Sequence, residues 1–288
     1  MVRNQVILRT ALALLAFAGN SLLCRLALKS TAIDAASFTS LRLLSASLAL
    51  WLLLVLGNKC GSKQGDWLSA AALFGYAAAF SLAYLNLAAG TGALLLFGSV
   101  QMTMIGTGLF RGERFNAMQL IGLALALGGL IYLVFPGLAA PPAISASLMI
   151  VAGIAWGIYS LRGRATTDPL ATTAGNFLRT LPFTFLFSLL FMGNAKFDLL
   201  GGLLAIASGI VASGLGYAIW YSVLPSLKST QAATVQLSVP VIASIGGIVL
   251  LGEQLSLRLI LASIVTLSGI GLMIYERGKA TVISVRRQ

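Results

Sequence analysis

Long apolar runs separated by short polar breaks dominate this chain. A helix of about 20 apolar residues spans the hydrocarbon core of a bilayer, so each run predicts one membrane-crossing helix. The pattern predicts about ten such helices, near residues 6–28, 35–56, 67–88, 92–110, 117–135, 144–162, 170–192, 199–223, 229–250 and 257–275. The breaks between them leave no stretch long enough for a soluble domain.

The charged residues of the breaks predict an orientation, because Lys and Arg collect in cytoplasmic loops. With the N-terminus in the cytoplasm, the cytoplasmic side carries Arg3, Lys59, Lys63, Arg111, Arg114, Arg162, Arg164, Lys228, Arg277, Lys279, Arg286 and Arg287. The opposite side carries Arg25, Lys29, Lys196 and Arg258. An even number of spans returns the chain to its starting side, so we expect a multi-pass protein of a bacterial cytoplasmic (inner) membrane with both termini cytoplasmic.

Composition strengthens the membrane assignment. Of the 288 residues, 58% are hydrophobic and 9% are charged, against roughly a quarter charged in soluble domains. The net charge of +12 does not point to nucleic acid, because no basic run carries interleaved aromatic residues. The chain has no His, and its two cysteines, Cys24 and Cys60, lie in the first run and in a loop. We therefore predict no metal site, no disulfide and no cofactor.

The two halves of the chain are related. Residues 22–44 align with residues 159–181, so that Arg25 matches Arg162 and Arg42 matches Arg179. Residues 109–134 align with residues 249–274, so that Gly112-Glu113 matches Gly252-Glu253. We predict an all-α membrane protein of two five-helix repeats, residues 1–138 and 139–288, around a central cavity. Because five is an odd number, the second repeat is inverted. Many secondary transporters are built in this way and bind substrate near the midplane of the membrane.

Several segments also resemble those of a known family. The segment "AWGIYSLRGR" is similar to the sixth-span signature of the drug/metabolite transporter superfamily, the EamA-type carriers. "FAGNSLLCRLAL" and "SFTSLRLLSASLAL" resemble the first and second spans, and "GERF" and "GEQL" resemble the ends of spans four and nine. The resemblance covers nearly the whole chain, and length and aromatic content are most similar to YddG-type amino-acid exporters.

The resemblance implies a ten-helix carrier whose cavity is lined by spans one, three, four, six, eight and nine, with spans five and ten mainly outside it. The chain departs from the family pattern in its first span, where "AFAGN" lacks the usual Trp before the Gly. It also has Val100 in span four where span nine has Pro240, so the two halves are not equivalent gates.

The aromatic residues of span six are candidate cavity residues. Trp156 lies about 12 residues, or roughly 18 Å, from the start of its span, deeper than an interfacial aromatic residue. Tyr159 shares its face at i,i+3 spacing. Ordinary helix packing or an interfacial anchor is the alternative for both. Such an aromatic wall suits an apolar or aromatic solute and attracts an ammonium group.

Other candidate substrate contacts are polar or aromatic. Asn20 and Gln101 are buried amides that either bind substrate or join helices. Tyr84, with Phe80, aligns with Tyr221 and Tyr217, which either line the cavity or inner gate or lie at the interface.

Three further residues are structural or gating candidates. Arg42 and Arg179 lie inside spans, where an Arg is a functional candidate by default. Snorkelling or a tie to another helix is the alternative, and their symmetry favours a repeated structural role over a carboxylate clamp. Pro240 frees backbone carbonyls in span nine and introduces a bend.

The positions of the acids bear on energy coupling. All seven are assigned to helix ends or loops: Asp34, Asp66, Glu113, Asp168, Asp198, Glu253 and Glu276. A proton relay needs an embedded acid or His, so we expect uniport or exchange of a small-molecule substrate by alternating access. An exporter of neutral or aromatic amino acids is the first candidate, and an exporter of organic cations or drugs is the second. An intramembrane enzyme and a channel are disfavoured, and no obligate protein partner is inferred.

Overall fold

The chain folds into a bundle of helices. The computed structural model describes residues 3–57, 64–110, 112, 115–137, 139–163, 166–223, 226–227 and 235–286, with only the backbone for residues 3 and 276–286. The α-helices of these residues are α1 Arg3–Ser30, α2 Ala35–Leu56, α3 Trp67–Tyr84, α4 Ala89–Phe110, α5 Ala117–Val134, α6 Ala143–Gly163, α7 Pro169–Phe191, α8 Leu199–Ala207, α9 Gly216–Val223, α10 Ser238–Leu251 and α11 Leu257–Arg286. A π-helical segment, Ser208–Leu215, joins α8 to α9 in one continuous rod.

Nine helical rods of the described chain are long and apolar enough to cross a membrane, and α8, the π segment and α9 together form one of them. The helix α10 is apolar but shorter, with 14 residues. It overlaps the predicted span 229–250, of which residues 235–250 are described, and ends one residue beyond it. The helical membrane fold is therefore confirmed, while its division into inverted five-helix repeats stays a prediction.

Pro240 stands in the first turn of α10, because the helix begins at Ser238 after a turn at Leu237. A proline is tolerated in the first helical turn, where its missing N–H has no intrahelical partner. The described span has a turn at Leu237, three residues before Pro240, and the bend and gating role of Pro240 stay predictions.

Aspartate caps define where several helices begin. The carboxylates of Asp34, Asp66, Asp168 and Asp198 accept backbone N–H groups at the starts of α2, α3, α7 and α8. An N-cap satisfies donors that the first helical turn leaves without partners. This capping explains why these four acids lie at helix ends.

The loops interlock across the two halves. The backbone N–H of Lys196 donates to Oδ2 of Asp34 over 2.8 Å. Near the other helix ends, the backbone N–H of Asp66 donates to Oδ1 of Asn176 over 2.9 Å, and Thr172 bonds to Gln64. Each half of the chain therefore holds a loop of the other half in place.

The outer helices α5 and α11 pack tightly on each other. A Cβ on Gly122 would lie 2.7 Å from the carbonyl oxygen of Gly269, so this close approach requires glycine. Large apolar side chains of α5, including Leu120, Ile121 and Ile131, are about half exposed. An exposed apolar surface of this kind suits contact with lipid.

Candidate functional site

A small cavity lies inside the bundle. Its lining comes from α1, α3, α4, α6 and α9: Phe17, Asn20, Tyr76, Phe80, Leu96, Phe97, Trp156 and Tyr217. The empty space has room for about one water molecule. None of these lining residues belongs to α5 or α11, in agreement with what the family resemblance implies. The described part of the predicted ninth span, residues 235–250, contributes none of them either.

Trp156 lies at the centre of the aromatic lining. Its ring centroid is 4.7 Å from that of Tyr217, 4.9 Å from that of Tyr76 and 6.1 Å from that of Phe17. Such pairs contribute about 0.5–1.5 kcal/mol each beyond the burial of their surface. The aromatic cluster therefore joins four helices, α1, α3, α6 and α9, through ring contacts on Trp156.

Glycine neighbours position Trp156. A Cβ on Gly153 would lie 2.6 Å from the carbonyl oxygen of Leu96, and one on Gly157 would lie 2.8 Å from Thr103. These two glycines, four residues apart, let α6 pack closely on α4. Trp156 therefore extends into the cavity from a helix that lies close to α4.

A polar network joins this cavity to the π segment. The amide of Asn20 donates to the hydroxyl of Tyr76 over 3.0 Å, and Oγ of Ser208 donates to Oδ1 of Asn20 over 2.7 Å. Arg42 donates to the same Tyr76 hydroxyl over 3.1 Å and to Oγ of Ser213 over 3.0 Å. Both serines belong to the π segment, and π-helical turns are frequent at functional sites.

Arg42 adds a positive charge beside the cavity. Its side chain is 1% exposed, and its guanidinium carbon lies 5.3 Å and 5.0 Å from the ring centroids of Tyr76 and Phe80, which line the cavity. Its Nη1 has no hydrogen-bond partner among the described residues. The second unpartnered polar group here is the hydroxyl of Tyr217.

One end of the bundle is closed by a network around Arg25 and Glu253, which we call the Arg25 end. Nε of Arg25 lies 3.1 Å from Oε1 of Glu253, and its Nη1 donates to the carbonyl oxygens of Tyr84 and Leu85 over 2.9 Å. The backbone N–H of Ala89 donates to Oε2 of Glu253 over 2.8 Å. These contacts tie α1, the α3–α4 turn and the segment after α10 together.

The opposite end, which we call the Arg162 end, carries a more exposed ion pair. Nη2 of Arg162 lies 2.9 Å from Oδ1 of Asp66, with both side chains over 40% exposed. Burial raises the pKa of Asp66, but hydrogen bonds from Ser69 and the charge of Arg162 outweigh it and hold that pKa below its usual range. Arg25 and Arg162, matched by the repeat, thus both pair with an acid, at opposite ends.

The sequence-predicted substrate residues divide into two groups. Asn20, Trp156 and Tyr217 line the cavity. The others lie outside its lining: Tyr84, Gln101, Tyr159 and Tyr221.

Each residue of the second group is nevertheless buried near the site. Tyr84 donates to the carbonyl of Ala89 beside the Arg25 end. The ring centroid of Tyr159 lies 5.5 Å from that of Trp156, with the rings tilted by 34°, and 6.3 Å from that of Tyr221. Gln101 is 2% exposed, one turn of α4 beyond Phe97, with its Nε2 unpartnered among the described residues.

The two span arginines differ in their surroundings. Nη1 of Arg179 donates to the backbone carbonyls of Gln64 and Gly175 over 2.9 Å, so this residue fastens the loop before α3. Arg42 makes no such contact with a loop in the described structure and bonds to Tyr76 and Ser213 instead. Arg179 therefore fastens a loop, whereas Arg42 joins α2 to α3 and to the π segment, and the structural or gating role of the pair stays a prediction.

Several lining residues were not selected as site residues from the sequence: Phe17, Tyr76, Phe80, Leu96 and Phe97. Tyr76, Phe80 and Tyr84 recur every four residues and form one stripe on α3, a signal that could have identified Tyr76. Phe17 belongs to "AFAGN", the segment that lacks the family's usual Trp. Its ring contacts Trp156, Tyr217 and Trp220.

No cluster of three or more metal-ligating side chains occurs among the described residues. The glutamates Glu113 and Glu276 and the cysteine Cys60 lie outside the described side chains. Cys24 is buried and unbridged.

Comparison with known proteins gives the family. The sequence model of the EamA-like transporter family matches residues 143–275. An uncharacterized protein of Pseudomonas aeruginosa is 55% identical, covering 96% of this chain and 97% of its own length. An uncharacterized transporter of Archaeoglobus fulgidus is 24% identical, covering 84% of this chain and 89% of its own. The uncharacterized transporter YoaV of Bacillus subtilis is 21% identical, covering 81% and 85%.

A solved crystal structure shares the fold, with a TM-score of 0.66 at 16% identity over 93% of this chain and 96% of that chain. The resemblance predicted from the sixth-span signature lies within the matched residues 143–275 and is confirmed at the level of the family. The chain belongs to the EamA-like transporter family and is a membrane transporter of small molecules.

Proposed function

We propose that this transporter exports amino acids with neutral or aromatic side chains by alternating access, as a uniporter or an exchanger. The observation that carries the proposal is the cavity in which Trp156, Tyr76 and Tyr217 surround an amide, that of Asn20. Aromatic faces accept a flat or apolar side chain. The neighbouring amide and hydroxyl groups supply the few polar contacts that orient a small ligand. The similarity to YddG-type exporters supports both the substrate class and the direction.

An exporter of organic cations is the second candidate, because aromatic rings also attract cations. The charge of Arg42 beside Tyr76 and Phe80 opposes it, since like charges repel most strongly at low dielectric. Among the described acids, Asp34, Asp66, Asp168 and Asp198 cap helices and Glu253 pairs with Arg25. None of these five lines the cavity, so none neutralises a bound cation there.

The two ends of the bundle support alternating access. Opening the Arg25 end requires the Arg25–Glu253 pair and its backbone contacts to separate, whereas the Arg162 end is held by a more solvated pair. We place the Arg162 end in the cytoplasm, because the positive loop residues concentrate on that side. The positions of the described acids favour uniport or exchange over proton coupling.

Tracer counterflow in liposomes that contain the purified protein tests the proposal. Liposomes loaded with unlabelled phenylalanine are expected to accumulate external tracer phenylalanine transiently, and liposomes loaded with tetraethylammonium are not expected to accumulate that cation. Counterflow of the cation without counterflow of phenylalanine contradicts the substrate class. Uphill phenylalanine accumulation driven by an imposed pH gradient, without internal substrate, contradicts uniport or exchange.

A further inference from the structure

Arg42 has an unsatisfied hydrogen-bond donor beside the cavity. Its repeat counterpart Arg179 uses Nη1 to bind the carbonyls of Gln64 and Gly175, which gives that guanidinium a structural task. Arg42 has Nη1 unpartnered among the described residues although the side chain is 1% exposed. The same position in the two halves therefore has two different environments, and the one beside the cavity is unsatisfied.

The charge of Arg42 is also uncompensated in the described structure. Arginine keeps its proton in proteins, and its hydrogen-bond partners here, Tyr76 and Ser213, are neutral hydroxyls. The described ion pairs at the bundle ends involve other residues. A buried charge without a counter-ion is costly inside a membrane, and an anion bound beside it would offset that cost.

A second unsatisfied donor belongs to the cavity itself. The hydroxyl of Tyr217 has no partner among the described residues, although this side chain is 2% exposed and lines the cavity. A carboxylate accepts up to four hydrogen bonds through its two oxygens. It can therefore accept from a guanidinium and a phenol together, and bonds to charged groups are the stronger ones.

We propose that Arg42 and Tyr217 bind the carboxylate of the transported solute, while the rings around Trp156 bind its apolar part. This proposal rests on the proposed function and deepens it by naming the carboxylate as the group that the protein recognises. Since no acid lines the described cavity, the carboxylate is required for binding and the ammonium group is not. The substrate class is then that of small carboxylates with an apolar or aromatic part, amino acids among them.

Competition by two analogues tests this on the unaltered protein. Phenylalanine counterflow is measured against 3-phenylpropanoate, which lacks the ammonium group, and against phenethylamine, which lacks the carboxylate. We expect the acid to compete within about tenfold of phenylalanine and the amine to fail at about a hundredfold excess. Equal competition by both analogues, or competition by the amine alone, overturns the inference and leaves the proposed function standing if phenylalanine itself counterflows.

Variants at Arg42 and Arg179 test whether Arg42 is the residue that binds the carboxylate. Binding of 3-phenylpropanoate is followed as the rise in melting temperature that a ligand of the folded state produces, which requires no transport. R42Q is expected to weaken this binding by about tenfold or more, and R42K to weaken it less, because it keeps the charge but loses the planar fork. R179Q is the control and is expected to keep the preference for acid over amine.

The outcomes separate the two claims. Unchanged 3-phenylpropanoate binding in folded R42Q overturns the role of Arg42. If R42Q does not fold, the carboxylate site is still tested by the analogue competition on the unaltered protein and by Y217F. The variant Y217F removes one hydrogen-bond donor to the same carboxylate and is expected to weaken 3-phenylpropanoate binding. Binding of the acid without phenylalanine counterflow contradicts the proposed amino-acid export and retains the carboxylate site.

Discussion

Arg25 and Glu253 lie 228 residues apart in the sequence and form an ion pair of 3.1 Å at one end of the bundle. Both side chains are less than 15% exposed, so neither charge is well solvated if the other is removed. Breaking such a pair leaves an uncompensated charge, which favours the state in which water reaches it. We therefore interpret this pair as the closure of the Arg25 end.

Neutralising Glu253 should open that end. Cys24, the neighbour of Arg25 in α1, is fully buried and reports on opening in a C60S background. We expect E253Q to raise the rate at which a membrane-impermeant maleimide labels Cys24 by about tenfold, measured on intact vesicles. The exchange R25E/E253R should return the rate toward that of the parent, and D66N at the other end should leave it unchanged. Equal labelling of E253Q and the parent contradicts a gating role.

Shortening Trp156 should reduce recognition of aromatic substrates. Because its ring contacts Phe17, Tyr76 and Tyr217, W156A removes one wall of the cavity and costs about 3–5 kcal/mol of stability. We expect the half-saturating phenylalanine concentration of W156A to rise by about tenfold, with a smaller change for alanine. W156F keeps a ring and should show less than half of this effect on a logarithmic scale.

The matched control for that substitution is Trp51, which is 45% exposed on α2. W51A is expected to keep the parent ratio of phenylalanine to alanine transport. If W156A keeps that ratio too, while remaining folded, Trp156 is a packing residue and not a substrate contact.

Acid should weaken the fold through Asp34. Burial raises the pKa of Asp34, but hydrogen bonds from Ser37, Lys196 and Ala36 outweigh it and hold the pKa below its usual value of 3.8. A group with a lowered folded pKa stabilises the protein above the usual value, and this contribution is lost as pH falls through the folded pKa. The melting temperature is therefore expected to fall below about pH 4.

The variant D34N separates this effect from general acid sensitivity. It should lower the melting temperature at pH 6 and flatten the change between pH 6 and about pH 3. A parallel decline in the parent and in D34N would assign the acid sensitivity to other groups.

The sequence predicts the helices well and the cavity in part. Apolar length and capping aspartates are local properties, so the bounds of α2 and α5 lie within one residue of the predicted spans. Asn20 and Trp156 were identifiable because an amide or an indole is uncommon deep in an apolar run, where its polar group needs a partner. Tyr76 was not predicted as a site residue, because its alanine-rich stretch is typical of close helix packing.

The different roles of Arg42 and Arg179 could not be derived from their matching positions. Which of two equivalent arginines fastens a loop depends on where Gln64 lies relative to α7, a tertiary contact with no local sequence signal. For the same reason, the hydrogen bond between Asn20 and Tyr76, 56 residues apart, becomes evident only once α1 and α3 are packed together.

The most direct test of the account is to fill the cavity. Leu96 lines it and is 3% exposed, whereas Leu125 on α5 is 42% exposed and faces outward. Phenylalanine counterflow is measured for L96W and for L125W as the matched control, with folding checked by size-exclusion chromatography. We predict that folded L96W loses counterflow and that L125W retains it. Parent-like counterflow by L96W would contradict transport through this cavity.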